Sequence, residues 1–535
     1  MAETDASQSG DGWTPARSVA GGRNPWLIVG VISIATLMTV LDASIANVAL
    51  AHIAGGLSAS YDEATWVITS YLISTAIVIP ISGWLSDVVG RKRFYMSSVA
   101  LFTGASLLCG LAPNLTWLIV ARILQGIGGA GLAPTEQSMM VDTFPPEKRG
   151  QAFAAYGIVV IVGPILGPSL GGLITDNFSW HWVFLINGPF GLLSLILVSF
   201  FVDEPQALIE ERKRLTEHGL KVDVIGFVLV ALFLGCLEIT LDRGQQDDWF
   251  SSPAITFFAI VSGVAFLFFV PWELMRKDPI VPIRMYGRRN FAVANLALMA
   301  VGVIIFGTTQ FIPQLLQEVM GYTATDAGAA LTIGGLATLM MMPIVGVLSG
   351  RTDARILLLI AFLIQGFALW NMSHLNTHMA FRDAAMARMW QSIGLPLLFV
   401  PVTQVAYVGL RPEDSNQASA LMNVSRNLGG TFGISFAQTM LAQRSQLHQA
   451  QLTETLNPLN PVYAASTANT VHILTGQGQG AASASAVATA QLYHAVGQQA
   501  QMLSYIDIFH VLMIAVFAMT PLILLLRTAP HGRPA

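Results

Sequence analysis

Two charges stand inside otherwise apolar runs, and their types suit the movement of protons. Asp42 falls in the run 26–51 and Arg122 in the run 115–140. At 1.5 Å per helical residue, Asp42 lies about 24 Å along its run and Arg122 about 10 Å along its own. If neighbouring runs cross a membrane in alternate directions, both charges sit in the outer part, at nearly matching depths. An ionisable group there is costly and faces a partner or a wet cavity. A nearby guanidinium favours a carboxylate, whereas desolvation favours the protonated acid. A change of water access between two conformations shifts that balance and moves a proton. A fixed structural ion pair fits the same two residues. Arg426 lies about 16 Å into the run 415–441. A charge relay or substrate contact there stands level with a buried structural pair. Glu136 lies about 21 Å beyond Arg122 on one helix, and a salt bridge to the basic loops at the inner end suits it best. Glu238, in the run 222–241, faces solvent near the outer end and carries no assignment.

The elements that must position these charges are long apolar helices. The chain of 535 residues is 53% hydrophobic and 11% charged, against about 25% charged in a soluble domain. Spanning a bilayer takes about 20 mostly apolar residues. Runs of that kind occur at 26–51, 63–85, 94–111, 115–140, 151–173, 182–202, 222–241, 253–272, 291–319, 324–348, 355–373, 383–408, 415–441 and 505–526, which makes fourteen. With the N-terminus inside, 21 of the 27 Lys and Arg residues fall in inside segments. Arg243, Arg382, Arg388 and Arg444 are outside, and Arg122 and Arg426 lie within spans. This asymmetry obeys the positive-inside rule and requires an even number of spans. The layout is a cytoplasmic disordered tail (1–25), a six-helix half (26–203), a linker with two inserted helices (204–288), a second six-helix half (289–527) and a short tail (528–535). The second half contains an outside loop over about 442–504, rich in Gln, Ala, Ser and Thr. Helices at 444–456 and 481–503 fit that loop, broken at 457–461 and 476–480. It is either a bland flexible loop or a docking site.

An internal repeat supports two halves. ARILQGIG at 121–128 matches ARMWQSIG at 387–394, and GWLS at 83–86 echoes GVLS at 346–349. Repeated halves place a transport site near their interface. Gly163, Gly167 and Gly171 share one helix face, which permits close helix approach. Pro164 and Pro168 remove backbone hydrogen bonds and favour a kink. A hinge or tight seal and simple packing both fit this stretch. The short basic loop with Gly83, Asp87, Gly90 and Arg91 suits a gate, Asp87 pairing with Arg91 or with a neighbouring helix end.

Four segments, in order, resemble the major facilitator superfamily, and within it the fourteen-helix drug/proton antiporters of the EmrB/QacA type, nearest the EmrB-type exporters. They are LDASIANVAL at 41–50, GWLSDVVGRK at 83–92, RILQG at 122–126 and GPILGPSLGG at 163–172; RNLGG at 426–430 adds to them. The resemblance covers nearly the whole chain after residue 26. It implies an all-α membrane fold with two six-helix halves plus two inserted helices. It implies proton-coupled export of hydrophobic or amphipathic compounds, with Asp42 as proton carrier and Arg122 as its modulator. Gln125, Glu136, Arg388, Gln391, Asn423 and Arg426 are the candidate cavity or relay residues. It also implies a bacterial inner-membrane location with both termini cytoplasmic, and a periplasmic adaptor and an outer-membrane channel as partners. Trp180-His181-Trp182 departs from the family pattern, which has Arg at the middle position. An interfacial aromatic belt with a polar histidine explains it best.

Other chemistries lack their signatures. G-x-x-x-x-G-K-[ST] and H-E-x-x-H are absent, and the histidines show no metal spacing. Cys109 and Cys236 lie in apolar runs and suit core packing rather than a disulfide or metal site. An enzyme, a cofactor and a nucleic-acid partner are therefore not expected; the proton gradient is the energy source. An importer or facilitator of a metabolite on the same scaffold is the alternative.

Overall fold

Helix signals in the sequence fix most element starts. Asn24 accepts a hydrogen bond from the backbone N–H of Trp26 and starts α1 (Pro25–Gly56), with proline at the first helical position, where its missing N–H costs nothing. Ser60 and Glu63 form a reciprocal capping box at the start of α2 (Tyr61–Val89). Gly90, at φ +97°, turns the chain directly into α3 (Arg91–Gly110). The computed structural model describes residues 17–217, 222–377, 379–454, 456 and 460–526.

The fourth expected span is two helices, α4 (Leu115–Ala130) and α5 (Leu132–Thr143), which meet at Gly131. Pro134 lacks the N–H a continuous helix would need. There follow α6 (Pro146–Asn177), the short α7 (Trp182–Leu185), α8 (Asn187–Phe201), the surface helix α9 (Gln206–Glu217) and the inserted pair α10 (Val224–Arg243) and α11 (Pro253–Met275). The second half comprises α12 (Arg289–Gln314), α13 (Ala324–Leu348), α14 (Ala354–Met372), α15 (Phe381–Ala406), α16 (Ser415–Glu454), α17 (Pro461–Gly476) and α18 (Ala481–Met519). Each of the fourteen expected spans coincides with helix. Among the described residues, eleven helices are long and apolar enough to cross a membrane. The helices built on 94–111, 151–173 and 415–441 are not among those eleven.

Pairwise packing repeats. In the first half α1 packs on α6, α2 on α4, α3 on α4 and α8; in the second, α12 packs on α16, α13 on α15, α14 on α15 and α18. The halves meet reciprocally, α6 on α13 and α16 on α2. The inserted α10 packs on α11, α2 and α16. Large apolar side chains face outward, Leu267 being 70% and Phe268 65% exposed on α11. Patches of this size are normally covered, and here lipid covers them.

Two boundaries differ from expectation. The first tail does not run loose to residue 25: Arg17 is buried, and Val19 accepts a hydrogen bond from Asp203 N–H. The 442–504 loop is mostly helix, because α16 and α18 continue the flanking spans and α17 fills the connection. Expectations on residues 1–16, Lys221, Arg527, Arg533 and the tail 528–535 lie outside the described residues.

Candidate functional site

Asp42 and Arg122 meet. Asp42 is fully buried in α1, Arg122 is 1% exposed in α4, and Arg122 Nη1 donates to Asp42 Oδ2 at 2.6 Å. Gln125, one turn beyond Arg122, closes a three-residue ring: its Oε1 accepts from Arg122 at 2.8 Å and its Nε2 donates to Asp42 Oδ1 at 2.8 Å. Asn187, at the start of α8, donates to the same Asp42 oxygen at 2.8 Å and to Ser106 Oγ at 2.9 Å. Arg122 Nε donates to the Val67 carbonyl at 3.0 Å, and its guanidinium carbon lies 4.3 Å from the Tyr71 ring centre. One carboxylate thus ties together α1, α4 and α8, while its guanidinium reaches α2. Charge-assisted bonds of this kind are about twice as strong as neutral ones.

Asn187 and Ser106 were not picked out in the sequence. The available signal was a lone amide in FLINGPFG at the head of an apolar run, which only the fold brings to Asp42.

Small residues bring α6 against α1 beside this network. Gly163 faces Val40, Gly167 faces Ser44 and Gly171 faces Ile45 and Val48, on the stretch of α1 that carries Asp42. Helix continues through Pro164 and Pro168. Close packing is what this seam displays; any hinge is a matter of motion.

The second copy of the motif keeps the cation but not the acid. Arg388 is buried in α15, not at an outer helix mouth as expected, and donates to Gln391 Oε1 at 2.6 Å and to Thr308 Oγ1 at 3.1 Å. Arg122 and Arg388, Gln125 and Gln391, and Asp42 and Thr308 are separated by the same distance along the chain. Threonine therefore stands where the first half has its carboxylate.

The residues expected to form a gate lie together at the end where α2 turns into α3. Asp87 accepts from Asn416 and from Gln417 Nε2, the latter at 3.4 Å. Arg91 pairs with Asp142 and donates to Ser415 Oγ at 3.0 Å. A Cβ on Gly83 would lie 2.8 Å from Gln417 Cα, so α2 and α16 touch almost backbone to backbone. Glu204 and Arg212 occupy the space a Cβ on Gly90 would need. These contacts join the halves, and Asn423 extends them inward by donating to Gln137 Oε1 at 2.9 Å. The bundle is therefore shut at this end.

Arg426 bonds to Asn423 Oδ1 at 2.8 Å. No carboxylate pairs with it among the described residues, so the buried ion pair weighed for it is not formed. Glu136 also differs from expectation. Instead of reaching the basic loops, its carboxylate accepts from Thr36 and lies 3.0 Å from the Tyr95 hydroxyl, fully buried. Glu136 lies on α5, past the break at Gly131. His181 stacks on Trp180 at 3.8 Å and partial burial lowers its pKa from 6.5, which favours the neutral ring. Among the described residues no group of three metal-binding side chains forms.

Comparison with known proteins accords with this geometry. The Major Facilitator Superfamily profile matches residues 32–434. The "Multidrug export protein EmrB" of Haemophilus influenzae is 39% identical over 437 residues, 82% of this chain and 84% of that protein. The protein of the same name from Escherichia coli K12 is 39% identical over 431 residues, 80% of this chain and 83% of that one. Among solved structures, the proton:xylose symporter XylE superposes with a TM-score of 0.58 at 13% identity, covering 93% of this chain and 96% of XylE. That likeness concerns the fold.

Proposed function

The chain belongs to the Major Facilitator Superfamily, and from that premise we propose that it is a proton-coupled antiporter exporting hydrophobic and amphipathic toxic compounds by alternating access. The observation that carries this reading is the enclosed network in which Asp42 holds Arg122, Gln125 and Asn187. The relatives named as multidrug export proteins supply the substrate class and the direction.

The mechanism follows from what protonation does to that network. A proton on Asp42 removes the charge that binds Arg122, and with it most of the attraction linking α1 to α4. Arg122 is then free to follow α2 through Val67, and α1 to shift along its glycine seam with α6. Both movements change the shape of the first half. The latch in which Asp87 and Arg91 hold Asn416, Gln417 and Ser415 of α16 releases in the opposite phase, and the two halves rock about a central site. Coupling requires that proton and substrate favour different conformations. Substrate occupancy competes with protonation of Asp42, and proton entry from outside resets the inward-facing state.

In this reading the shut end faces the cytoplasm, because the basic loops cluster there, and both termini lie on the cytoplasmic side of the bacterial inner membrane. The projecting ends of α16 and α18 with α17 then stand in the periplasm, where an adaptor protein leading to an outer-membrane channel would dock. No cofactor or enzymatic step is needed, since the gradient supplies the energy.

The test is transport by the purified chain in proteoliposomes under an imposed pH gradient. Lipophilic cations and uncouplers serve as substrates, and Asp42→Asn as the comparison. Substrate-dependent proton flux that the variant loses supports the antiporter. Flux that ignores the gradient and survives the substitution points to a facilitator and removes the role of Asp42.

A further inference from the structure

The inserted pair α10–α11 has no part in the mechanism above, yet it contacts both halves. We infer that Glu238 on α10 is a second proton-coupling residue, its carboxyl losing and regaining a hydrogen-bond partner as the halves rock. The inference rests on the antiporter reading and extends it to the inserted helices.

α10 is anchored to the first half. Gly235 packs toward Ile77 and Ile73 of α2. Asp242 accepts from Thr69 of α2. Arg243 donates to Thr65 Oγ1 at 2.7 Å and lies over the Trp66 ring. Toward the second half α10 extends Glu238, whose Oε1 accepts from Thr431 Oγ1 of α16 at 3.1 Å. Glu238 is only 3% exposed. Its carboxyl therefore lies across the α2–α16 seam, where the two halves meet.

The charged groups around it are few. On α10, Asp242 is one turn away and repels a second negative charge. Arg243 is engaged with Asp247 at 3.6 Å and with α2. On α2, Asp62 and Glu63 lie at the helix start, about two turns from Thr69. On α16, Arg426 is turned to Asn423. On α11, Glu273 lies at the far end of α10, beside Gly226. No cation pairs with Glu238 among the described residues. A carboxylate at membrane depth with one neutral donor is costly, and binding a proton relieves the cost.

Rocking separates α16 from α2. Since α10 is held to α2 by several contacts, the link that yields is Glu238 to Thr431. Opening the seam also admits water. The acid's O–H bond then breaks, the proton passes to water on the open side, and the carboxylate is hydrated. On return to the outward-facing state the carboxylate takes a proton from water on the outer side, and closing the seam expels the water. The proton thus binds the two conformations unequally, which is the requirement for coupling.

The experiment counts protons released per molecule of tetraphenylphosphonium transported, using the whole chain in proteoliposomes with an internal pH-sensitive dye. Wild type, Asp42→Asn, Glu238→Gln and Thr431→Val are compared across pH. Glu238→Gln should still transport, with about one proton fewer per substrate and a flatter pH profile. Thr431→Val should keep the stoichiometry but displace the pH of half-maximal rate. Wild-type stoichiometry and profile in Glu238→Gln overturn the inference; if that variant does not fold, an unchanged profile in Thr431→Val does the same. These results leave the antiporter reading intact if Asp42→Asn abolishes coupled flux. Absence of proton flux in the wild type overturns both.

Discussion

Removing the two charges of the buried pair separately and together distinguishes an interdependent network from two independent residues. In Asp42→Asn, Arg122 keeps its bonds to Gln125 Oε1 and the Val67 carbonyl but loses its counter-charge at 2.6 Å. In Arg122→Gln, Asp42 keeps the amides of Gln125 and Asn187 but loses its cation. Breaking one side of a buried pair costs about 3–5 kcal/mol, whereas replacing both charges with neutral groups is often close to neutral. The retained neutral partners put each single change near the low end, about 3 kcal/mol, which is roughly 100-fold in an equilibrium constant. The double variant Asp42→Asn/Arg122→Gln should regain most of that loss, ending only about 1 kcal/mol below wild type, which corresponds to a coupling energy of about 5 kcal/mol. Thermal unfolding of the purified chain in detergent measures stability, and the proteoliposome assay measures function. Stability should recover in the double variant while proton-coupled transport stays absent. Additive losses, with the double variant the least stable, would refute the claim that these side chains form one closed electrostatic unit.

Two further outcomes follow from local geometry. Gly83→Val places a branched side chain against Gln417 Cα, where even a Cβ would lie at 2.8 Å. The clash, worth about 1–3 kcal/mol, should hold the halves apart at the Arg91 end, and spin labels on α2 and α16 should read a longer distance there; an unchanged distance distribution would contradict it. His181 has a folded pKa depressed below 6.5 by partial burial, so the unfolded chain takes up its proton first as pH falls. Its contribution is therefore present above about pH 6.5 and lost below it. Between pH 7 and pH 5 the melting temperature should fall more in the wild type than in His181→Gln, and equal falls would show that the ring's burial has no energetic consequence.

What the sequence made legible was governed by periodicity and charge asymmetry. A spanning helix needs a long apolar run, which is local, so all fourteen expected spans coincide with helix, while the caps at Asn24 and Ser60 stand outside the apolar runs that defined those spans. Depth along a helix is also local arithmetic, which is why Asp42 and Arg122 were matched before any contact was known. Direction around the helix was harder to read. Depth alone lets Glu136 reach the basic loops, but its side chain meets Thr36 and Tyr95 inside the bundle instead. Asn187 was missed because one amide in an apolar run has no periodic partner. The continuation of α16 and α18 beyond the spans was only partly foreseen, since a Gln/Ala-rich sequence lacks the apolar stripe that marks a packed helix.

The repeat shows why likeness between halves does not mean equal roles. Both copies supply a buried arginine with a glutamine one turn on, and the shared spacing sets Asp42 opposite Thr308. A threonine hydroxyl can accept from a guanidinium, as Thr308 does from Arg388, but it does not exchange a proton near neutral pH. Protonation can therefore switch the Arg122 contact and cannot switch the Arg388–Thr308 contact. A transporter whose halves both responded to the same proton would deform on both sides of the central site at once. In the proposed mechanism the switch is confined to one half, so protonation would change the first half's shape against a second half that keeps its own, a mismatch that drives rocking. The same asymmetry gives α10 its place: anchored to the half that carries Asp42, it reaches across to the other half through Glu238.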